Sequence, residues 1–160
     1  MFLTTVGEYT GSVRPRTVYR VGKAKYDLTS AEGARLYGGR WNRPGAAVLY
    51  TSSNLALAMF EVLIHTGRQR PPEGFAYLPV QIASQCPIEV VEYSDLPGGE
   101  LEREWCVTCG TRWLRTGRAP VLCVPSAAMP SVESNWILGP EAPTTYADPE
   151  PLAWDRRLFG

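Results

Sequence analysis

The chain has 160 residues, which suits one domain built around one substantial core. Apolar residues make up 44% and charged residues 20%, and sixteen basic side chains balance sixteen acidic ones. No charge excess therefore advertises nucleic acid or an anionic membrane as a direct partner, although a local basic cleft for a small anion stays open.

The first thirteen residues, MFLTTVGEYTGSV, lack a basic leader followed by an apolar stretch of signal-peptide length. The longest apolar run, residues 55–64, is too short to span a bilayer and is interrupted by Glu61. A cytoplasmic protein is expected.

Residues 17–21 (TVYRV) read as a strand from their β-branched and aromatic content. A Gly- and Arg-rich stretch, GARLYGGRWNRPG, follows at 33–45. Its Gly38-Gly39 and Pro44-Gly45 pairs mark tight turns on either side of Arg40-Trp41-Asn42. Residues 47–51 (AVLYT) read as a buried strand. Ser52 or Ser53 then serves as N-cap for a helix over 54–65, closed by Gly67. Strands are expected at 75–83 and 88–93. A Pro97-Gly98-Gly99 loop leads into a helix over 100–115 that ends at Gly117, and a strand follows at 120–124. Beyond Pro125 prolines are frequent, and no long periodic element is expected until 152–159. The mixed order, without regular βαβ alternation, indicates an α+β domain.

Four cysteines do not make a disulfide framework. Cys106 and Cys109 form a CxxC, but it lies inside a helical stretch. Cys86 and Cys123 stand alone and His65 is distant, so buried structural thiols are expected and no metal site. His65 is read as a partner of the helix C-terminal dipole.

Glu61 is the most informative position. It sits in LALAMFEVLI, where every other residue is apolar, which reads as a helix buried on all faces. An ionised carboxylate in such a place costs several kcal/mol unless compensated, on the order of what a lone buried ion loses in hydration. Either an arginine neutralises it, or it opens into a cleft as a catalytic group. Arg20, inside an apolar strand, and Arg40, flanked by turn glycines, are the natural complements. Two arginines near turn glycines suit a pyrophosphate. Arg14, Arg16 and Arg43 read as solvated charges. Neither GxGxxG nor GxxxxGK[ST] occurs, so neither usual phosphate loop is indicated. Tyr50 could border a flat ring or simply fill the core. Ser126 and Asn135 are polar side chains beside apolar segments, and no GxSxG surrounds either serine at 126 or 134.

The motifs resemble the RES-domain toxins, a family named for an arginine, a glutamate and a serine. The likeness runs from about residue 17 to 159. It is carried by VYRVG (18–22), GGRWNRPG (38–45), VLYTSSNLALAMFEVLIH (48–65), WCVTCGTRWL (105–114), VLCVPSAAMPSVESNWILGP (121–140) and WDRRL (154–158). The resemblance implies a single domain with an ADP-ribosyltransferase-like fold, in which a split mixed or antiparallel sheet carries flanking helices. It places the family arginine on Arg20 or Arg40, the glutamate on Glu61 and the serine on Ser126, with Tyr50 and Asn135 at further site positions. It implies action on NAD as substrate, without a separate cofactor: cleavage of the nicotinamide–ribose bond by water or phosphate, or transfer of ADP-ribose to a protein. In that reading Glu61 and Arg40 are catalytic, and Arg20, Tyr50, Ser126 and Asn135 bind substrate. It also implies an Xre-like helix-turn-helix antitoxin as partner and a homodimer within the complex. An inactive module that only binds its antitoxin is the reading from a different class. The family's His after the ESN block is missing here, where Gly139-Pro140-Glu141-Ala142-Pro143 stands instead.

Overall fold

The computed structural model describes residues 16–66 and 72–159. Arg14, the N-terminal thirteen residues and Gly67 lie outside the described residues. The strands are β1 (Arg16–Lys23), β2 (Leu49–Ser52), β3 (Phe75–Ile82), β4 (Ile88–Val90), β5 (Val121–Pro125), β6 (Ser134–Leu138), β7 (Thr144–Tyr146) and β8 (Glu150–Pro151). The helices are α1 (Glu32–Tyr37), α2 (Leu55–Thr66) and α3 (Glu102–Thr116). The strands join one sheet in the order β4-β5-β6-β2-β1-β3-β7, with β8 also on β3. Only β4–β5 is parallel; the other pairs are antiparallel. This mixed sheet with flanking helices is the α+β fold that the element order indicated.

Side chains alternate across a strand, so each face collects every second residue. One face carries Val18, Leu49, Leu78, Val80, Val121, Cys123, Trp136 and Leu138, which form a single core cluster with Leu28 and Cys86. No helix contributes to that cluster. The opposite face carries Tyr50, Leu122, Val124 and Ile137, and these pack with Val48, Trp41 and the α3 residues Cys106, Cys109 and Trp113.

Three expectations need correction. β6 was not anticipated, yet it is a central strand between β5 and β2. Residues 152–159 hold only a single 3₁₀ turn, Arg156–Phe159. Helix α2 is not buried on all sides: Leu57 and Ala58 are buried, while Phe60 and Ile64 are each 47% exposed, because the helix lies on the outside of β1 and β2. All four cysteines are buried and free, as the helical setting of the CxxC suggested. Among the described residues, no helix is long and apolar enough to cross a membrane.

Candidate active site

Glu61 lies in the second turn of α2, and the chain fixes that helix at its start. Asn54, rather than Ser52 or Ser53, is the cap: its Oδ1 accepts the Leu57 N–H at 2.9 Å. Ser53 Oγ and Asn54 Nδ2 both donate to Glu133 Oε2, at 2.8 and 3.0 Å. Glu133 belongs to the 126–133 connection between β5 and β6, so this carboxylate ties that connection to the helix N-terminus, where its charge also suits the helix dipole.

The same connection begins with Ser126, only 1% exposed. Its Oγ accepts the backbone N–H groups of Ala128 and Met129 at 3.0 and 3.3 Å. Its single proton goes to Glu61 Oε1 at 2.9 Å. Asn135 on β6 donates Nδ2 to the same oxygen at 3.0 Å. Two donors therefore hold Oε1, and no hydrogen bond occupies Oε2 among the described residues. No cation forms an ion pair with Glu61 there either. Among the described residues the carboxylate is held by a hydroxyl and an amide rather than by an arginine.

Tyr50 and Arg40 stand farther along the same face. Tyr50 OH accepts the Trp41 N–H at 3.0 Å and donates to Asn42 Oδ1 at 2.7 Å. Burial pushes the Tyr50 hydroxyl up to about 12. Asn42, 2% exposed, passes its Nδ2 to the carbonyls of Ala34 and Arg43, each at 3.0 Å. Gly38 closes α1 with φ 70°, and a Cβ at Gly39 would sit 2.6 Å from Tyr50 OH. These contacts knit the GGRWN turn, from which Arg40 Nη2 reaches Glu102 Oε1 on α3 as an ion pair. Arg40 also lies beside Cys106, whose thiol burial raises to about 11. Arg43 pairs with Glu104 at the exposed surface.

Arg20 lies elsewhere. β1 pairs in unbroken register with β3, placing Val18 opposite Val80 and Arg20 opposite Leu78. Arg20 therefore shares the face of Val18, while Tyr19, in register with Ser52, shares the face of Asn135. Burial lowers the Arg20 pKa, against the opposing influence of Asp27 and Tyr146. Register thus puts Arg20 on the face of Val18, while the turn that carries Arg40 packs against the other face through Trp41. Arg16 is not a solvated charge: its guanidinium lies over the Trp136 ring, 4.3 Å from the centroid. The sequence reading missed Ser52, whose Oγ donates to Asn135 Oδ1 at 3.0 Å, and the anchoring role of Asn42. The alternation of Val18, Tyr19 and Arg20 was the available signal for the side that Arg20 takes. Among the described residues no group of three or more His, Cys, Asp or Glu side chains could hold a metal.

Comparison with known proteins shows the family of the chain. The RES domain matches residues 17–158. A Toxin Res from Photorhabdus laumondii is 33% identical over 130 residues, covering 78% of this chain and 82% of the relative. A Prs ADP-ribosylating toxin from a Sphingobium species is 30% identical over 122 residues, covering 73% and 75%. A Toxin Res from Pseudomonas putida is 33% identical over 140 residues, covering 83% and 93%. A chain of the M. tuberculosis MbcT–MbcA toxin–antitoxin complex superposes with a TM-score of 0.69 at 17% identity, covering 87% of this chain and 85% of that one, which shows a shared fold. With its motifs in order across nearly the whole length, the chain belongs to the RES domain family.

Proposed function

We propose that this protein is the toxin of a toxin–antitoxin pair and that it breaks the nicotinamide–ribose bond of NAD, its substrate, with Glu61 as the catalytic carboxylate. One observation carries the reading: Glu61 has no cationic partner among the described residues, Ser126 and Asn135 hold one oxygen, and the other is left for a ligand. The C1′–N1 bond breaks with its electron pair passing to the pyridinium nitrogen, so nicotinamide leaves neutral and needs no proton. The ribose becomes oxocarbenium-like. A fixed carboxylate beside it stabilises that charge and takes a ribose hydroxyl, and it acts more strongly for standing on an apolar helix. Water or phosphate then captures the sugar and releases a proton. Arg40 is the candidate for the pyrophosphate, with Tyr50 holding the turn that carries it.

Glu61→Gln keeps the shape of the side chain and removes its charge. It is expected to fold, to bind NAD and to lose at least a hundredfold in NAD turnover, the order of a well-placed electrostatic contribution. Full turnover by this variant overturns the reading. Mass spectrometry of the products formed with and without phosphate distinguishes ADP-ribose from its phosphate ester.

Transfer of ADP-ribose to a protein is the second reading, supported by the relative named as a Prs ADP-ribosylating toxin. Labelled NAD in a cell lysate would then mark a protein band. The partner proposed is an Xre-like antitoxin, supported by the toxin–antitoxin complex that shares the fold. Co-expression with the adjacent reading frame, followed by size-exclusion chromatography, tests both that pairing and the homodimer within it.

A further inference from the structure

Ser52 ends β2 and is 5% exposed. Register places Tyr19, Ser52, Asn135 and Val124 in one row across four neighbouring strands, with adjacent strands about 4.8 Å apart. Within that row the direction of each hydrogen bond follows from Glu61. An ionised carboxylate only accepts, so Asn135 must turn Nδ2 toward it, 3.0 Å from Oε1. Asn135 Oδ1 then faces the other way, and the Ser52 hydroxyl must donate to it across 3.0 Å. The flipped amide would set two acceptor oxygens against each other at Glu61.

We propose that Ser52 is a positioning residue: by donating to Asn135 Oδ1 it pins in place the amide whose orientation Glu61 sets, so that Nδ2 stays on Glu61 Oε1 and Oε2 is directed to the substrate. The inference rests on the reading of Glu61 as the catalytic carboxylate. The neighbouring residue supplies a control. Thr51 is also a buried hydroxyl, but it points to the opposite face and donates to the Trp136 carbonyl at 2.7 Å, with no link to Glu61.

The test uses the full chain and steady-state NAD consumption, corrected for folded fraction by circular dichroism. Ser52→Ala is expected to lower kcat roughly tenfold, the loss of one oriented hydrogen bond in a charged network, with KM for NAD nearly unchanged. Ser52→Thr retains the hydroxyl and restores kcat. Thr51→Val lowers the melting temperature but not kcat. In an Asn135→Ala background, Ser52→Ala has no further effect on kcat, since its influence passes through the missing amide. Wild-type kcat in Ser52→Ala, failure of Ser52→Thr to restore it, or an equal loss in the Asn135→Ala background overturns the proposal. Glu61→Gln is measured alongside. If that variant is inactive and Ser52→Ala is not, only the positioning role fails; if it turns over fully, the catalytic reading fails with it.

Discussion

Gly110, in the middle of α3, is where the helix meets the turn that carries Arg40. An added Cβ there would lie 1.7 Å from the Trp41 carbonyl oxygen and 2.7 Å from its carbon. Carbon–oxygen contacts settle at about 3.3–3.6 Å, so helix and turn would have to separate by more than an ångström. Both obstructing atoms are backbone, and no rotamer change relieves them. Against this, alanine gains about 1 kcal/mol over glycine as a helix former. Overpacking costs about 1–3 kcal/mol, and a backbone clash belongs at or above the top of that range. The net loss for Gly110→Ala is therefore about 2 kcal/mol, which lowers the melting temperature by about 4–8 °C for a chain of this size. The displaced turn should also raise KM for NAD through Arg40. Gly33 on α1 is the matched control: a Cβ there meets nothing within 4 Å, so Gly33→Ala should stabilise by about 0.5–1 kcal/mol. Thermal denaturation of both variants decides. A Gly110→Ala protein melting at or above the wild type, or a Gly33→Ala protein falling as far, would refute the reasoning.

Tyr50→Phe strands the Trp41 N–H and the Asn42 Oδ1, which should cost about 1–3 kcal/mol in urea denaturation at neutral pH. Because burial raises the Tyr50 hydroxyl to about 12, the folded chain holds that proton more tightly than the unfolded one. Its stabilising contribution is complete below about pH 10 and is lost as pH climbs through the folded value. Tyr50→Phe should accordingly show a smaller stability drop between pH 10 and 12 than the wild type. Burial raises the Cys106 and Cys123 thiols to about 11, so native protein at pH 8 should react slowly with a thiol reagent, and rapid labelling of Cys106 would contradict the packing described. Arg40→Lys should raise KM for NAD about tenfold through loss of the forked guanidinium, with kcat less affected, and an unchanged KM would remove Arg40 from the phosphate end.

Much of the layout was readable because the responsible forces are local. The apolar run of α2, the buried strand 121–125 and the left-handed Gly117 that closes α3 all announce themselves within a few residues. β6 did not: SNWIL is five residues among prolines, and only its pairing on both sides, with β2 and β5, makes it a central strand. α1 is six residues long with none buried, too short for a periodic signal. Glu61 was legible as an anomaly, a charge where the pattern demands none. Its partners were less so. Ser52, Ser53 and Asn54 are three successive residues suited to capping, and only the strand end and the helix start settle that Asn54 caps while Ser52 turns to Asn135. That contact spans 83 positions, and no local rule reaches it. For Arg20 the charge inside a strand was plain, but the side it faces depends on which neighbour looks inward.

Glu133 binds the β5–β6 connection to the first turn of α2. The two pieces that meet at the carboxylate are therefore riveted together at a second point, and neither can tilt without dragging the other. On the proposed reading of Glu61, donors assembled in this manner require no rearrangement while positive charge grows on the sugar, so none of the barrier is consumed in gathering them.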